Sequence, residues 1–411
     1  MSNTTNRLIP AEEALNIVLA GIRPPGIEHV PLGDAHERIL GSDLASLRTQ
    51  PPFDASAMDG YAVRQEDIQS LPASLKLIGQ SRAGEPFDGS VGKGEAVRIF
   101  TGAVVPEGAD SIVIQENTTA DSELTTVNSG VEAGKFIRKA GLDFKQGEVL
   151  LQEGNALTSS RLALAASMNH ATLPVFRKPV VALISTGDEL VMPGQTTGEG
   201  QIIASNTFGL AASITKCGGQ LIDMGIVVDE REALSGAFED AINRNCDVIV
   251  TTGGASVGDH DLVLPVAEAL GFEFEITKIA MRPGKPFLFG KLQRDGKTIY
   301  MTGLAGNPVS SLVGFNVFVK PLVQLLGGQK PETVTMQSAI LGRDLPENDE
   351  RAEYMRATLE RGENGERIAT PFSSQDSSML ANLVRADCLL YRPVKAPAAR
   401  KGEACKIVFI E

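Results

Sequence analysis

The chain has 411 residues, of which 42% are hydrophobic and 22% charged, with a net charge of −13. That length exceeds what one core ordinarily supports, so roughly two to four domains are expected. Acids scattered along the chain speak against a nucleic-acid partner, and no apolar run approaches the roughly 20 residues that cross a bilayer. The four cysteines (Cys217, Cys246, Cys388 and Cys405) form no C-x-x-C pair. Together with an N-terminus that lacks a basic-then-apolar leader, they point to the reducing cytoplasm. His29, His36, His170 and His260 have no zinc spacing, and no G-x-S-x-G elbow marks a serine hydrolase.

From the N-terminus, residues 10–22 predict a short helix with Ala14, Ile17 and Val18 on one face, ended by Pro24 and Pro25. The connection over 30–44 has only a weak pattern. From Arg48 to Asp143, short apolar runs alternate with Gly and Pro, the grammar of a small β-rich domain. Thr158 to Ser160 caps a helix through Met168. A βα rhythm then begins. Val180 to Ile184 predicts a buried strand, followed by a helix capped at Ser205-Asn206 and closed by Gly218-Gly219. Leu221 to Val228 is the next strand. Asp229, three residues before Glu232, resembles a capping box for a helix to Asn243.

The third strand of this series opens the stretch DVIVTTGGASVGDHD (Asp247 to Asp261). Val248, Ile249 and Val250 suit a strand buried on both faces. Glycines and hydroxyls before the helix candidate Leu262 to Leu270 form either a phosphate cradle or an ordinary tight βα turn. The spacing matches neither the dinucleotide nor the P-loop fingerprint. Alternating strands and helices imply a mostly parallel sheet, with ligands beyond the strands' carboxyl ends. There Asp188, Glu189, Asp229, Asp259 and Asp261 would share one rim with Arg282 and Lys285. Two carboxylates about 4 Å apart repel by roughly 4 kcal/mol at an effective dielectric near 20, and a phosphate guest adds more. Oxygen ligands without His or Cys then favour Mg²⁺. The helix from Val309 to Leu326 is apolar nearly all round, which predicts deep burial or a subunit contact. Beyond Gly328 the chain is polar and β-like, interrupted by the hydroxyl-rich loop 373–380.

Six motifs then occur in order: MDGYA (58–62), RIFTGA (98–103), STGDEL (185–190), TTGGASVGDHD (251–261), RPGKP (282–286) and AGNPVS (305–310). Together they closely resemble the molybdopterin molybdenumtransferase family, which includes the C-terminal domain of gephyrin. The resemblance implies an α/β plus β multidomain fold. Its parts would be a discontinuous linker domain (1–48 and 144–177), whose first helix is free to pack on the αβα part, and an inserted β-rich domain (49–143). A central αβα molybdopterin-binding domain (178–327) with a mostly parallel sheet and a C-terminal β barrel (328–411) would complete it. It also implies a cytoplasmic homodimer with a cleft shared between subunits. Molybdate would enter adenylylated molybdopterin with Mg²⁺ required and AMP released, a molybdopterin adenylyltransferase being the implied supplier.

By the same resemblance, Asp59, Thr101 and Asp143 would reach in from the partner subunit. Asp188, Glu189 and Asp229 would serve the metal and the phosphoanhydride, and Asp261, near the pterin phosphate side, would join Asp59, Thr101, Asp143 and Glu189 as a catalytic residue. Ser185, Thr186, Gly187, Gly253, Gly254, Ser256 and Gly258 would hold the pterin phosphate side. Arg282 and Lys285 would supply positive charge, and Gly306, Asn307, Pro308, Ser310 and Ser377 would complete the pocket. The chain departs from the family pattern at Ala55, Leu142, His260, Ala305 and Asp376, usually Asn, Glu, Tyr, Pro and Gly. A molybdopterin adenylyltransferase, whose small fold resembles residues 178–327, is the competing enzyme. A scaffold paralogue without turnover is the competing class.

Overall fold

The computed structural model describes residues 8–254, 261–330 and 336–410. The chain divides into two compact units, Met1–Glu28 with Val175–Glu411, and His29–Pro174.

Within His29–Pro174 the main element is a six-stranded sheet, in the order Ser111–Ile114, Gly60–Val63, Glu95–Ile99, Ala73–Ser81, Leu124–Val127, Thr118–Ala120. Its strands alternate, so successive side chains go to opposite faces. Tyr61, Val63, Leu75, Ala96 and Val113 pack in one cluster. Ala62, Val97, Ile99 and Ile112 pack in another. Gly and Pro between these short runs supply the turns, as the composition predicts. The helix Ser159–Ser167 follows the sheet in the chain.

The other unit alternates strand and helix. Its elements are β1 (Val180–Thr186), α1 (Ser205–Lys216), β2 (Gln220–Val227), α2 (Arg231–Asn243), β3 (Val248–Thr252) and α3 (Val263–Ala269). Three strands follow, β4 (Glu273–Arg282), β5 (Pro286–Arg294) and β6 (Lys297–Leu304), then the long helix α4 (Pro308–Leu326). The strands lie in the order β2-β1-β3-β6-β5-β4. The first four are parallel to one another, and β5 is antiparallel to both of its neighbours. Val181, Leu183, Val248 and Val250 face a cluster with Leu210 and Ile214 of α1 and Phe318 of α4. The intervening Ala182, Ile184 and Ile249 face Leu234 and Phe238 of α2 and Val266 of α3. Burying a leucine or phenylalanine side chain of this kind contributes about 1.5–3 kcal/mol, which is why the β-branched run must be covered on both sides. The N-terminal helix Ala11–Leu19 adds Ala11, Ala14 and Val18 to the first cluster.

Helix α4 corrects the sequence reading that no apolar run approaches the length of a membrane span. It is long and apolar enough, with a mean hydropathy of 1.5, but 72% of that window is buried inside the protein, so it is a core helix. Asn316, Lys320 and Gln324 interrupt the run and hide it from pattern counting. Its middle, Phe315–Val319, winds as a π-turn in which the Lys320 N–H reaches Phe315 O. Pro321 has no N–H to offer the regular ladder, and the wider turn absorbs that gap.

Five further strands are β7 (Gln337–Leu341), β8 (Ala352–Arg361), β9 (Arg367–Pro371), β10 (Cys388–Arg392) and β11 (Ala404–Phe409). They run β8-β9-β7-β11-β10, and β10 pairs back onto β8, closing the sheet into a small barrel. Met281 and Arg282 of β4 also pair with Ala352 and Glu353 of β8, so the barrel is hydrogen-bonded to the central sheet.

Candidate active site

Because β1, β2, β3 and β6 are parallel, their carboxyl ends lie on one edge. Two successive antiparallel turns bring the end of β4 to the same edge. A cleft of about 900 Å³ opens there. From β1 come Ser185, Thr186, Gly187 and Glu189; from the turn after β2 comes Asp229; from β3 come Thr252, Gly253 and Gly254. The end of β4 gives Arg282, and the start of α4 gives Gly306, Asn307, Pro308 and Ser310. The far wall is the loop Gln375, Asp376, Ser377 and Ser378 between β9 and β10.

Hydroxyl and amide side chains tie these pieces together. Ser185 Oγ lies 2.6 Å from Thr207 Oγ1. Asn206 Nδ2 donates to Gly306 O (2.6 Å) and Thr252 Oγ1 (3.2 Å). Asn307 Nδ2 donates to Ser377 Oγ (2.9 Å), while the Val309 N–H donates to Ser377 O (3.1 Å). Asn206 therefore does not cap α1 as the sequence suggests. Ala204 holds the N-cap without a side-chain bond, and the amide is spent across the crevice. Asp229 is likewise no cap, since Glu230 precedes α2. Its carboxylate instead accepts the Thr186 hydroxyl, and its own N–H reaches Asp188 Oδ1 at 3.1 Å.

Gly253 shows why the turn after β3 needs glycine. Its φ is +89°, and a Cβ there would stand 2.1 Å from Thr186 O. Only a residue without a side chain lets the two strand ends close around a guest.

Charge on the rim is shared out. Arg282 bonds Asp349 and sits 3.8 Å from Glu353. Arg351 lies 3.5 Å from the same Asp349. The Arg351 backbone N–H, helped by both guanidiniums, holds the Asp349 carboxyl below its usual range, whereas burial pushes Glu353 up. Burial, reinforced by the charge on Asp229, pushes Asp261 up to about 7. Its Oδ2 is buried without a partner among the described residues, while Oδ1 accepts the Val263 N–H at 3.3 Å. Beneath the far wall, Arg356 is fully buried. Its Nε donates to Gln375 Oε1 (3.1 Å) and its Nη1 to Asp376 O (2.7 Å), pinning the loop. Asp376 turns its carboxylate onto the hydroxyl and N–H of Ser378, which keep it below the usual range.

In the His29–Pro174 unit, Thr101 donates both its N–H (2.8 Å) and its hydroxyl (2.9 Å) to Asp59 Oδ1. These bonds hold the Asp59 carboxyl below its ordinary value. Asp143 is exposed, and its N–H bonds Gln50 O at 3.0 Å.

Of the other residues proposed from sequence, Lys285 is exposed and does not line the cleft, Asp261 is half-buried and does not line it either, and Asp188 stands beside it through Asp229. Ser256, Gly258, Asp259 and His260 lie outside the described residues. Sequence reasoning missed Asn206, Thr207, Arg351, Gln375 and Arg356. Asn206 and Gly306 are 100 residues apart, so no local pattern could have joined them.

Three family models match in succession. They are the MoeA N-terminal region (domain I and II) over residues 9–169, the probable molybdopterin binding domain over 182–325, and the MoeA C-terminal region (domain IV) over 338–410. The molybdopterin molybdenumtransferase of Haemophilus influenzae is 36% identical over 386 residues, covering 93% of this chain and 94% of the relative. That of Bacillus subtilis is 33% identical over 411 residues, covering 98% and 94%. Two crystal structures of a molybdopterin biosynthesis MoeA protein from Pyrococcus horikoshii match with TM-scores of 0.85 and 0.78, at 33% and 30% identity. Each covers 98% of this chain and 100% of its own.

Proposed function

This chain belongs to the molybdopterin molybdenumtransferase family, and we propose that it inserts molybdate into adenylylated molybdopterin, releasing AMP. The observation that carries this reading is the cleft itself. Carboxylates, guanidiniums and a glycine turn meet at one strand edge, as a multiply charged guest needs.

Thr186, Gly253 and Gly254 bind the phosphate side of the pterin through closely approaching backbone. Asn307 and Ser377, fixed on each other, orient it from the opposite wall. Arg282 and Arg351 attract the oxyanion of molybdate, in competition with Asp349. Burial favours the neutral form of Asp261, which eases its repulsion with Asp229.

A divalent cation fits this donor set of oxygens without His or Cys. No group of three His, Cys, Asp or Glu converges among the described residues. The protein would therefore offer Glu189 and Asp229, with Asp188 beside them, and the substrate's phosphates the remaining oxygens, as is usual for Mg²⁺. When bound, Mg²⁺ withdraws charge from the phosphoanhydride.

The same reading includes the four-domain division at 1–48 with 144–177, 49–143, 178–327 and 328–411. It also includes a homodimer in which Asp59, Thr101 and Asp143 complete the partner's cleft, and a molybdopterin adenylyltransferase as the supplier. All four cysteines are free, which fits a reducing cytoplasm.

The test is reconstitution from adenylylated molybdopterin, molybdate and Mg²⁺, following AMP release. Glu189→Gln and Asp59→Asn are expected to abolish insertion while leaving the oligomer intact. Unimpaired cofactor synthesis by both variants would defeat the site assignment. Formation of adenylylated pterin from molybdopterin and Mg-ATP would favour the adenylyltransferase instead.

A further inference from the structure

On the six-stranded sheet of the His29–Pro174 unit, Tyr61, Arg98, Phe100 and Arg82 form a stack with no part in the chemistry described so far. The strands Gly60–Val63, Glu95–Ile99 and Ala73–Ser81 are neighbours, with Tyr61 opposite Arg98 on one side and Gln80 opposite it on the other. Arg98 Cζ lies 5.0 Å from the ring centres of both Tyr61 and Phe100. Arg82 Cζ lies 5.8 Å from the Phe100 ring. Rings and guanidiniums thus alternate from the buried Tyr61 out to the exposed Arg82.

Neither arginine forms an ion pair among the described residues. Arg98 donates to Gly60 O (3.2 Å) and Gln115 Oε1 (2.7 Å), and Arg82 donates to Gln80 Oε1 (3.1 Å). Arg98 also acts through space on the Asp59 carboxylate, so in a chain with a net charge of −13 it is the exposed Arg82, bonded only to a neutral amide, that offers an anion site. The outer member is planar, weakly hydrated and open to a further flat layer. The next residue after Phe100 is Thr101, which bonds Asp59.

We propose that Arg82 is a stacking platform for the nucleotide portion of the adenylylated substrate. The base lies on its guanidinium, and the charge of Arg82 draws the phosphate. The choice of nucleotide rests on the transfer reaction proposed above, whereas the platform rests on the stack alone.

Calorimetric titration of the full-length protein with AMP and with ribose 5-phosphate tests this without turnover. Arg82→Ala is expected to raise the Kd for AMP about tenfold, the loss of one base–plane contact. Arg82→Lys keeps the charge but not the plane, so it should weaken AMP while leaving ribose 5-phosphate as in the wild type. Arg82 is exposed, so neither variant should shift the melting temperature. Unchanged AMP affinity in Arg82→Ala, equal losses for both probes in Arg82→Lys, or no AMP binding by the wild type would each overturn the platform. Arg82-dependent AMP binding without molybdenum insertion would instead sink the transfer reading and leave the platform standing.

Discussion

Asp261 is placed where a carboxylate is poorly served. Among the described residues, one oxygen has a single long bond from the Val263 N–H, and the other is buried with no partner. Burial, with Asp229 adding repulsion, raises its pKa from 3.8 to about 7, so the folded state prefers the neutral acid. For a group raised in this way, the stabilising preference is complete below 3.8 and is lost as pH climbs through about 7. Asp261→Asn mimics the neutral form. Without added divalent cation, its stability relative to wild type should therefore grow between about pH 4 and 7 and level off above. Denaturant titrations at four or five pH values check this, and parallel curves would show that the side chain finds solvent. Asp59 illustrates the opposite case: two bonds from Thr101 favour its charged form, although it is exposed.

The turn after β3 is where an element's geometry decides what the cleft can be. Gly253 combines a φ of +89° with a Thr186 carbonyl 2.1 Å from any added Cβ. Gly253→Ala therefore incurs backbone strain of about 1–3 kcal/mol as well as a clash with the neighbouring strand. Chemical denaturation should register at least that loss, with phosphate-ligand binding impaired. A loss below about 0.5 kcal/mol would mean that the turn relaxes and is no fixed cradle. Such turns were legible in the sequence, because a β-branched run followed by paired glycines has a local physical cause. The strands and helices of the αβα layer were legible for the same reason. Caps were misread at Asn206 and Asp229, because a side chain that can cap a helix can equally bond a distant strand end. The partner that wins is set by the fold.

At the scale of the whole molecule, composition suggests a C-terminal β region that stands apart, yet the strand pairing joins it to the central sheet. Met281 and Arg282 continue into Ala352 and Glu353 across the β4–β8 ladder. The barrel has a small core of its own around Leu341, Ala357, Leu390 and Ile407. Tyr354, Leu383 and Leu389 nevertheless belong to the large cluster that also holds Phe318 and Leu326 of α4. None of this is written in local pattern, since it depends on which exposed edge a strand meets. Ending the chain at residue 330 would bare the β4 edge and uncover part of α4. It would also remove Asp349 from Arg282 and the loop from Gln375 to Ser378 from the cleft. The truncated protein is thus expected to aggregate or to melt well below the full chain, not to persist as a stable αβα fragment. In the full chain, probes in the barrel and in the central sheet should unfold in one shared transition. Two well-separated transitions, or a soluble fragment retaining the parent's melting temperature, would show that the ladder carries little energy and that the far wall of the cleft is only loosely attached.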